Sequence, residues 1–235
     1  MSSEENTAVD SPASKYLPTG ESWIRATVSA IPFVGGALDH LLFDKADEIR
    51  KRNIESSLDA LSRKLEDIEE SNVDKDWFNS EEALQVFRLL AETSQFEPSE
   101  PKRSVLGEIV AVSGTQKHSS DGRTLSVLEH LGRLSFVQIK LLKIVGSMKP
   151  KEREFSGGSI SQKGTAYWLD DILEVVKANP GGQFWTGTLQ VDVELELMES
   201  LNIFRRAPIF SGGATGYFLT SIGKLVLSYL EDTDV

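Results

Sequence analysis

The chain of 235 residues predicts a mainly α protein, with a helical N-terminal part and a smaller C-terminal α+β domain. Three observations predict it. Ile54, Leu58, Leu61, Leu65 and Ile68 are spaced 4-3-4-3, the heptad period of an amphipathic helix. Apolar residues recur at helical intervals from 80 to 147, in runs that open on capping residues and close on breakers. Beyond Ser200 the period changes, and two short apolar runs flank Ser-Gly-Gly-Ala-Thr-Gly, 211–216, as in a β-hairpin.

Taken in order, residues 1–20 hold few large apolar side chains and read as a disordered tail. Residues 22–43, "SWIRATVSAIPFVGGALDHLLF", contain thirteen uncharged residues between Arg25 and Asp39. A membrane span needs about 20 apolar residues. This run is shorter, and Pro32, Gly35 and Gly36 interrupt it. It reads as a buried or hairpin helix in which Ile31, Phe33, Gly35 and Gly36 pack closely, with membrane insertion as the alternative. The heptad helix follows over 44–70. Its seam fits a helix packed along its own domain or self-association, and we take self-association through Ile54, Leu58, Leu61, Leu65 and Ile68 as the expectation.

Ser80 followed by Glu81 and Glu82 signals a helix start, with Leu84, Phe87, Leu90 and Ala91 on its apolar face. Pro98 and Pro101 end that unit; a short helix over 102–112 and a polar loop over 113–123 come next. Leu125, Leu128 and Leu131 mark another helix, so 80–131 reads as a small bundle. From Ser135 three further helices are predicted, in "SFVQIKLLKIVGSM", "YWLDDILEVVKAN" and "VDVELELMESLNIF". In the last, Val193, Leu197 and Leu201 are the expected buried face. The insertion 149–166 reads as an extra hairpin, and "SIGKLVLSYLED" as a final helix. The domains expected are 1–20, 21–72, 73–131 and 132–235.

"LELMESLNIFRR" followed by "GYFLTSIGKLVLSYL" resembles the end of winged-helix domains: a leucine-rich helix, a strand, a wing, an "LT..G" step and a last amphipathic helix. The resemblance covers roughly 135–235. It implies a winged-helix-like fold, and with it a third helix placed to read DNA. The link "PGGQFWTGT" departs from the family, being longer than the usual turn of about 3–4 residues. The whole layout also resembles uncharacterised accessory proteins of bacterial phage-defence and mobile-element loci.

Several chemistries are excluded or disfavoured. The absence of cysteine removes disulfides, thiolate metal sites and a cysteine nucleophile. His40, His118 and His130 lack a second histidine at ligand spacing. The glycine clusters at 156–165 and 210–219 lack the phosphate-loop frame and suit hairpin turns. No nucleophile elbow is present, so no enzyme, no metal and no cofactor are expected.

DNA binding is disfavoured by charge. The net charge is −11, and the third helix carries Asp192, Glu194, Glu196 and Glu199 without a cation. Any partner or nucleic acid is expected at Arg205, Arg206, Lys163 and Trp185, with Lys149, Lys151 and Arg153 as further cations. Trp168, Phe184 and Trp185 are candidate exposed anchors for a protein partner. The polar, acidic N-terminus lacks signal-peptide features, which points to the cytoplasm. The function expected is therefore that of a self-associating adaptor or regulator with protein partners; the resemblance to phage-defence accessory proteins implies a role in antiphage defence. The alternatives are a DNA-binding regulator and a membrane-acting effector that inserts 22–43.

Overall fold

A computed structural model describes residues 48–157, 160–178, 188–207 and 215–234; at 154–164 and 188–189 it describes backbone only. The described chain is mainly helical with a small antiparallel sheet, and it divides into two units, one ending at Leu125 and the other starting at Ser126. Ile31, Phe33, Gly35, Gly36 and Trp185 lie outside the described residues.

In the first unit, α1 (Glu48–Asp67) is followed by a 3-10 turn, α2 (Lys75–Phe78), α3 (Glu81–Ser94) and α4 (Glu100–Ser113). Ser80 caps α3 as expected, its hydroxyl accepting from the Ala83 amide at 3.1 Å. Ser99 caps α4 in the same way, and Pro101 sits in the first turn, where no intrahelical N–H is missed. α4 is buried on nearly all sides and forms the centre of the unit.

α1 lies against α4, and the approach depends on Gly107. A Cβ there would meet the Ser57 carbonyl oxygen at 2.1 Å, so only hydrogen fits between the two backbones. Beside this contact the Ser57 hydroxyl donates to Ser94 Oγ at 2.7 Å, joining α1 to α3. Ile54, Leu61 and Leu65 are buried here with Phe87, Leu90, Leu106 and Ile109.

The heptad seam is thus filled from within the chain. This corrects the expected self-association through it: Leu61 and Leu65 are 1% and 0% exposed, and a second copy has no access to them. Leu58 is partly buried against Ile54 and Ala91, and Ile68 lies beyond the end of α1. The same packing makes the heptad helix part of the bundle rather than a separate domain.

The second unit contains α5 (Thr124–Arg133), which begins at the division, and α6 (Phe136–Ser147). Next come β1 (Lys151–Gly157), β2 (Ile160–Trp168), α7 (Leu169–Ala178) and α8 (Thr188–Ser200). β3 (Phe204–Arg206), β4 (Gly216–Leu219) and α9 (Ser221–Leu230) complete it. Ser135 and Gln138 form a reciprocal capping box that starts α6. The insertion is a hairpin, β1 pairing with β2 from Lys151↔Ala166 to Gly157↔Ile160.

The sheet order is β1-β2-β4-β3, all antiparallel where paired. Tyr167 and Trp168, which the sequence assigns to a helix, instead end β2 and pair with Tyr217 and Gly216. Gly216 permits this, because a Cβ there would meet the Trp168 ring at 2.9 Å. The core of the unit gathers Leu128, Leu142, Trp168, Ile172, Leu195, Phe204, Tyr217 and Tyr229.

Candidate functional site

α8 and the two strands that follow it carry the candidate site. α8 buries Val191, Leu195 and Met198, at i, i+4 and i+7. It ends in a Schellman motif. The Asn202 amide donates to Glu199 O and the Ile203 amide to Met198 O, each at 2.9 Å. Asn202 takes the left-handed conformation this needs, with φ 59°. Ile203 and Met198, at the positions where such a turn carries apolar residues, are both buried. The turn directs the chain into β3, where Phe204, Arg205 and Arg206 face Leu219, Phe218 and Tyr217 of β4.

All four carboxylates of α8 have partners inside the unit. The Tyr217 hydroxyl donates to Asp192 at 2.7 Å, and Gln138 Nε2 donates to Glu194 at 2.8 Å. The Arg206 guanidinium donates to Glu196 at 2.6 Å, and the Arg206 backbone amide donates to Glu199 at 2.9 Å. Arg206 also lies 3.7 Å from Asp192 and over the Tyr217 ring, 5.7 Å from its centre. Hydrogen bonds to Tyr217 and Glu196 hold the guanidinium firmly protonated. Burial, then the Asp192 carboxylate, raises the Tyr217 hydroxyl far above its ordinary value, so it stays a donor.

This arrangement accounts for an acidic helix where a DNA-reading helix would carry cations: the charges bind the helix to β3 and α6. Arg206, expected as a contact residue, is engaged by α8 and also lines the cleft described below.

Lys151 and Arg153 are likewise engaged. Lys151 donates to Asp171 at 2.7 Å, and Arg153 donates to Asp170 and Asp171, each at 2.8 Å, in the first turn of α7. Arg153 also covers the Trp168 ring at 5.1 Å. Trp168 is 0% exposed, with its Nε1 donating to Lys151 O, so it is a core residue and not an exposed anchor. Lys163 lies on β2 opposite Glu154.

Burial would raise the Asp171 carboxyl, but the Lys151 and Arg153 hydrogen bonds outweigh it and hold it below its ordinary 3.8. A carboxylate whose value is depressed on folding stabilises the fold above its unfolded value and loses that effect as pH falls through the lower folded value. Asp171→Asn is therefore expected to lower Tm at pH 7, and the gap from wild type to close below the ordinary 3.8. Thermal melts of both proteins from pH 7 to pH 2.5 check this; a gap constant across that range removes the ion cluster as its cause.

Two surfaces remain open. The first is the outward face of α8, where Val193 is 43% and Leu197 is 49% exposed. This reverses the predicted face: Val193 and Leu197 point to solvent, and Leu201 is half-buried. The helix has apolar residues on two faces, and periodicity alone does not say which one meets the core.

The second is a cleft of about 760 Å³ lined by Asn202, Arg205, Phe218, Thr220, Ser221 and Lys224, among others. Arg205 and Phe218 are paired across the strands, and both are exposed. Neither Arg205 nor Lys224 forms an ion pair among the described residues. No carboxylate or histidine lines this cleft, so no general base faces Ser221 or Thr220 there.

Among the described residues no group of His, Asp and Glu is arranged to hold a metal ion, and no helix is long and apolar enough to cross a membrane. Compared with models of known families, with curated proteins and with solved structures, the chain has no significant match.

Proposed function

We propose that the chain is a non-enzymatic adaptor whose second unit is a winged-helix-like module used for protein docking through α8. The order helix, strand, helix, helix, strand, strand over α6, β2, α7, α8, β3 and β4, with β4 between β2 and β3, supports the winged-helix reading. One observation carries the functional reading. The helix in the DNA-reading position offers solvent an apolar pair, Val193 and Leu197, while its carboxylates are engaged by Arg206, Tyr217 and Gln138. An i, i+4 apolar pair on an exposed helix suits the groove of a partner protein. Glu196, 52% exposed beside Leu197, favours a groove with a basic rim.

Val193→Asp with Leu197→Asp is expected to leave Tm within about 2 °C, because neither side chain is in the core. The same pair is expected to weaken partner binding roughly tenfold or more. A photo-crosslinking residue at position 197, in the cell of origin, traps the partner; the same probe at Lys177 serves as control. Trapping at both positions alike, or at neither, overturns the α8 reading.

Arg205 and Lys224 favour one other reading, contact with nucleic-acid phosphate through the cleft. Retardation of duplex DNA at low salt, lost in Arg205→Glu with Lys224→Glu, supports it. No retardation at micromolar protein removes it.

A further inference from the structure

The first unit carries an open groove of about 730 Å³. Ile49, Asn53 and Ser56, at i, i+4 and i+7, set one face of α1 along it, and Gln95, Phe96 and Pro98 of the α3–α4 connection line it too. The Asn53 side chain donates to Gln95 O at 3.2 Å and ties the helix to that connection. From Ile49 to Ser56 the helix rises about 10 Å, the length of about three extended residues.

The lining has two kinds of chemistry. Ile49 is 54% and Phe96 65% exposed, an apolar pair facing water. Beside them are Arg50, Arg52 and Arg103, against one carboxylate in the described lining, Glu100. Arg50 and Arg52 are exposed and form no ion pair among the described residues. The Arg50 guanidinium lies over the Phe96 ring, 5.0 Å from its centre. The groove is thus locally positive on a chain whose net charge is −11.

Arg103 is the telling residue. It is only 7% exposed, yet its guanidinium donates to two backbone carbonyls, Glu97 O at 2.8 Å and Pro98 O at 3.1 Å, and to no carboxylate among the described residues. Its Nε is buried without an acceptor. A buried cation that lacks an anion is costly, and a carboxylate arriving in the groove would relieve that cost.

We propose that this groove docks a short segment of a partner protein in which large apolar side chains are flanked by carboxylates. The apolar side chains cover Ile49 and Phe96, and the carboxylates pair with Arg50, Arg52 and Arg103. A neutral segment is rejected, because it seals Arg103 further from water without supplying an anion. Two observations favour a peptide over single-stranded nucleic acid. Arg50 already covers one face of Phe96, the ring on which a base would stack. Beyond the groove the net charge of −11 repels a long phosphate backbone, whereas a short acidic segment meets only the local charge. The groove goes beyond the α8 reading and does not rest on it; an adaptor that holds two partners needs two such surfaces.

The probe is a display library of random peptides, selected against the full-length chain. Enriched peptides are expected to combine Leu, Ile, Phe or Trp with neighbouring Asp or Glu. One of these, labelled with fluorescein, is then titrated with wild type and variants. Arg50→Glu with Arg52→Glu is expected to weaken it roughly tenfold or more. Val193→Asp with Leu197→Asp is expected to leave the affinity unchanged, which separates this groove from α8. Circular dichroism verifies that each variant is folded. The proposal is overturned when no acidic–apolar peptide is enriched, or when its affinity survives the reversal of Arg50 and Arg52. Loss of affinity in Arg205→Glu with Lys224→Glu instead overturns it by placing the peptide in the cleft of the second unit. Labelled oligothymidylate that binds more tightly than the peptide, and is lost in Arg50→Glu with Arg52→Glu, overturns it in favour of nucleic acid.

Discussion

Leu61→Asp is expected to unfold the first unit at room temperature. Leu61 is 1% exposed, on the face of α1 that Gly107 brings against α4. The substitution removes a buried isobutyl group and places a carboxyl group in the buried interior of the unit. The lost packing is worth about 2–5 kcal/mol, and burying an unpaired polar group adds to it. Together these reach the lower part of the stability of a typical domain, about 5–15 kcal/mol. The measurement is far-ultraviolet circular dichroism with light scattering. The expected result is a loss of helical signal from the first unit, with wild-type mass unaffected by dilution. Ile68→Asp, beyond the end of α1 and half-buried, is expected to cost less than about 1 kcal/mol. A Leu61→Asp protein that stays folded while a wild-type oligomer falls to monomers would restore the intermolecular seam.

That contrast shows what the sequence could and could not disclose. The 4-3-4-3 spacing identifies α1 and its buried stripe, because the period of an apolar face depends on helix geometry alone. It does not identify the occupant of the opposite side. Gly107 carried a faint signal, a glycine inside the apolar helix 102–112, which in a helix interior is costly unless a close contact requires it. On α8 the ambiguity is sharper. Val191, Leu195 and Met198 and the set Val193, Leu197 and Leu201 both fit helical spacing, and only the packed core distinguishes them. The strand ending at Trp168 was hidden because Tyr167 and Trp168 precede an unbroken helical pattern, while their partners Tyr217 and Gly216 lie some fifty residues away. The groove at Ile49, Phe96 and Arg103 left no local trace, since helix α1 and the α3–α4 connection meet there only after folding.

The adjacent arginines of β3 should separate under the same charge reversal. Arg205 is exposed and unpaired among the described residues, so Arg205→Glu is expected to shift Tm by no more than about 2 °C. Arg206→Glu acts in the network. It removes the donor to Glu196 and the contact with Tyr217, and it sets a fourth carboxylate among Asp192, Glu196 and Glu199. The Glu196 contact alone counts for little, since Glu196 is 52% exposed and solvent screens it. The Tyr217–Asp192 pair lies deeper, with Tyr217 buried and Asp192 32% exposed, so water screens a like charge beside it less than at Glu196. A loss of about 2–4 kcal/mol follows from breaking the partly buried set and adding repulsion. For a chain of this length that corresponds to a Tm lower by about 4–16 °C. Adding Glu196→Arg to Arg206→Glu rebuilds the pair in reverse and is expected to recover part of the loss. Equal shifts for Arg205→Glu and Arg206→Glu would mean that the carboxylates of α8 are not bound to β3. The acidity of the helix would then be open to a cationic partner after all.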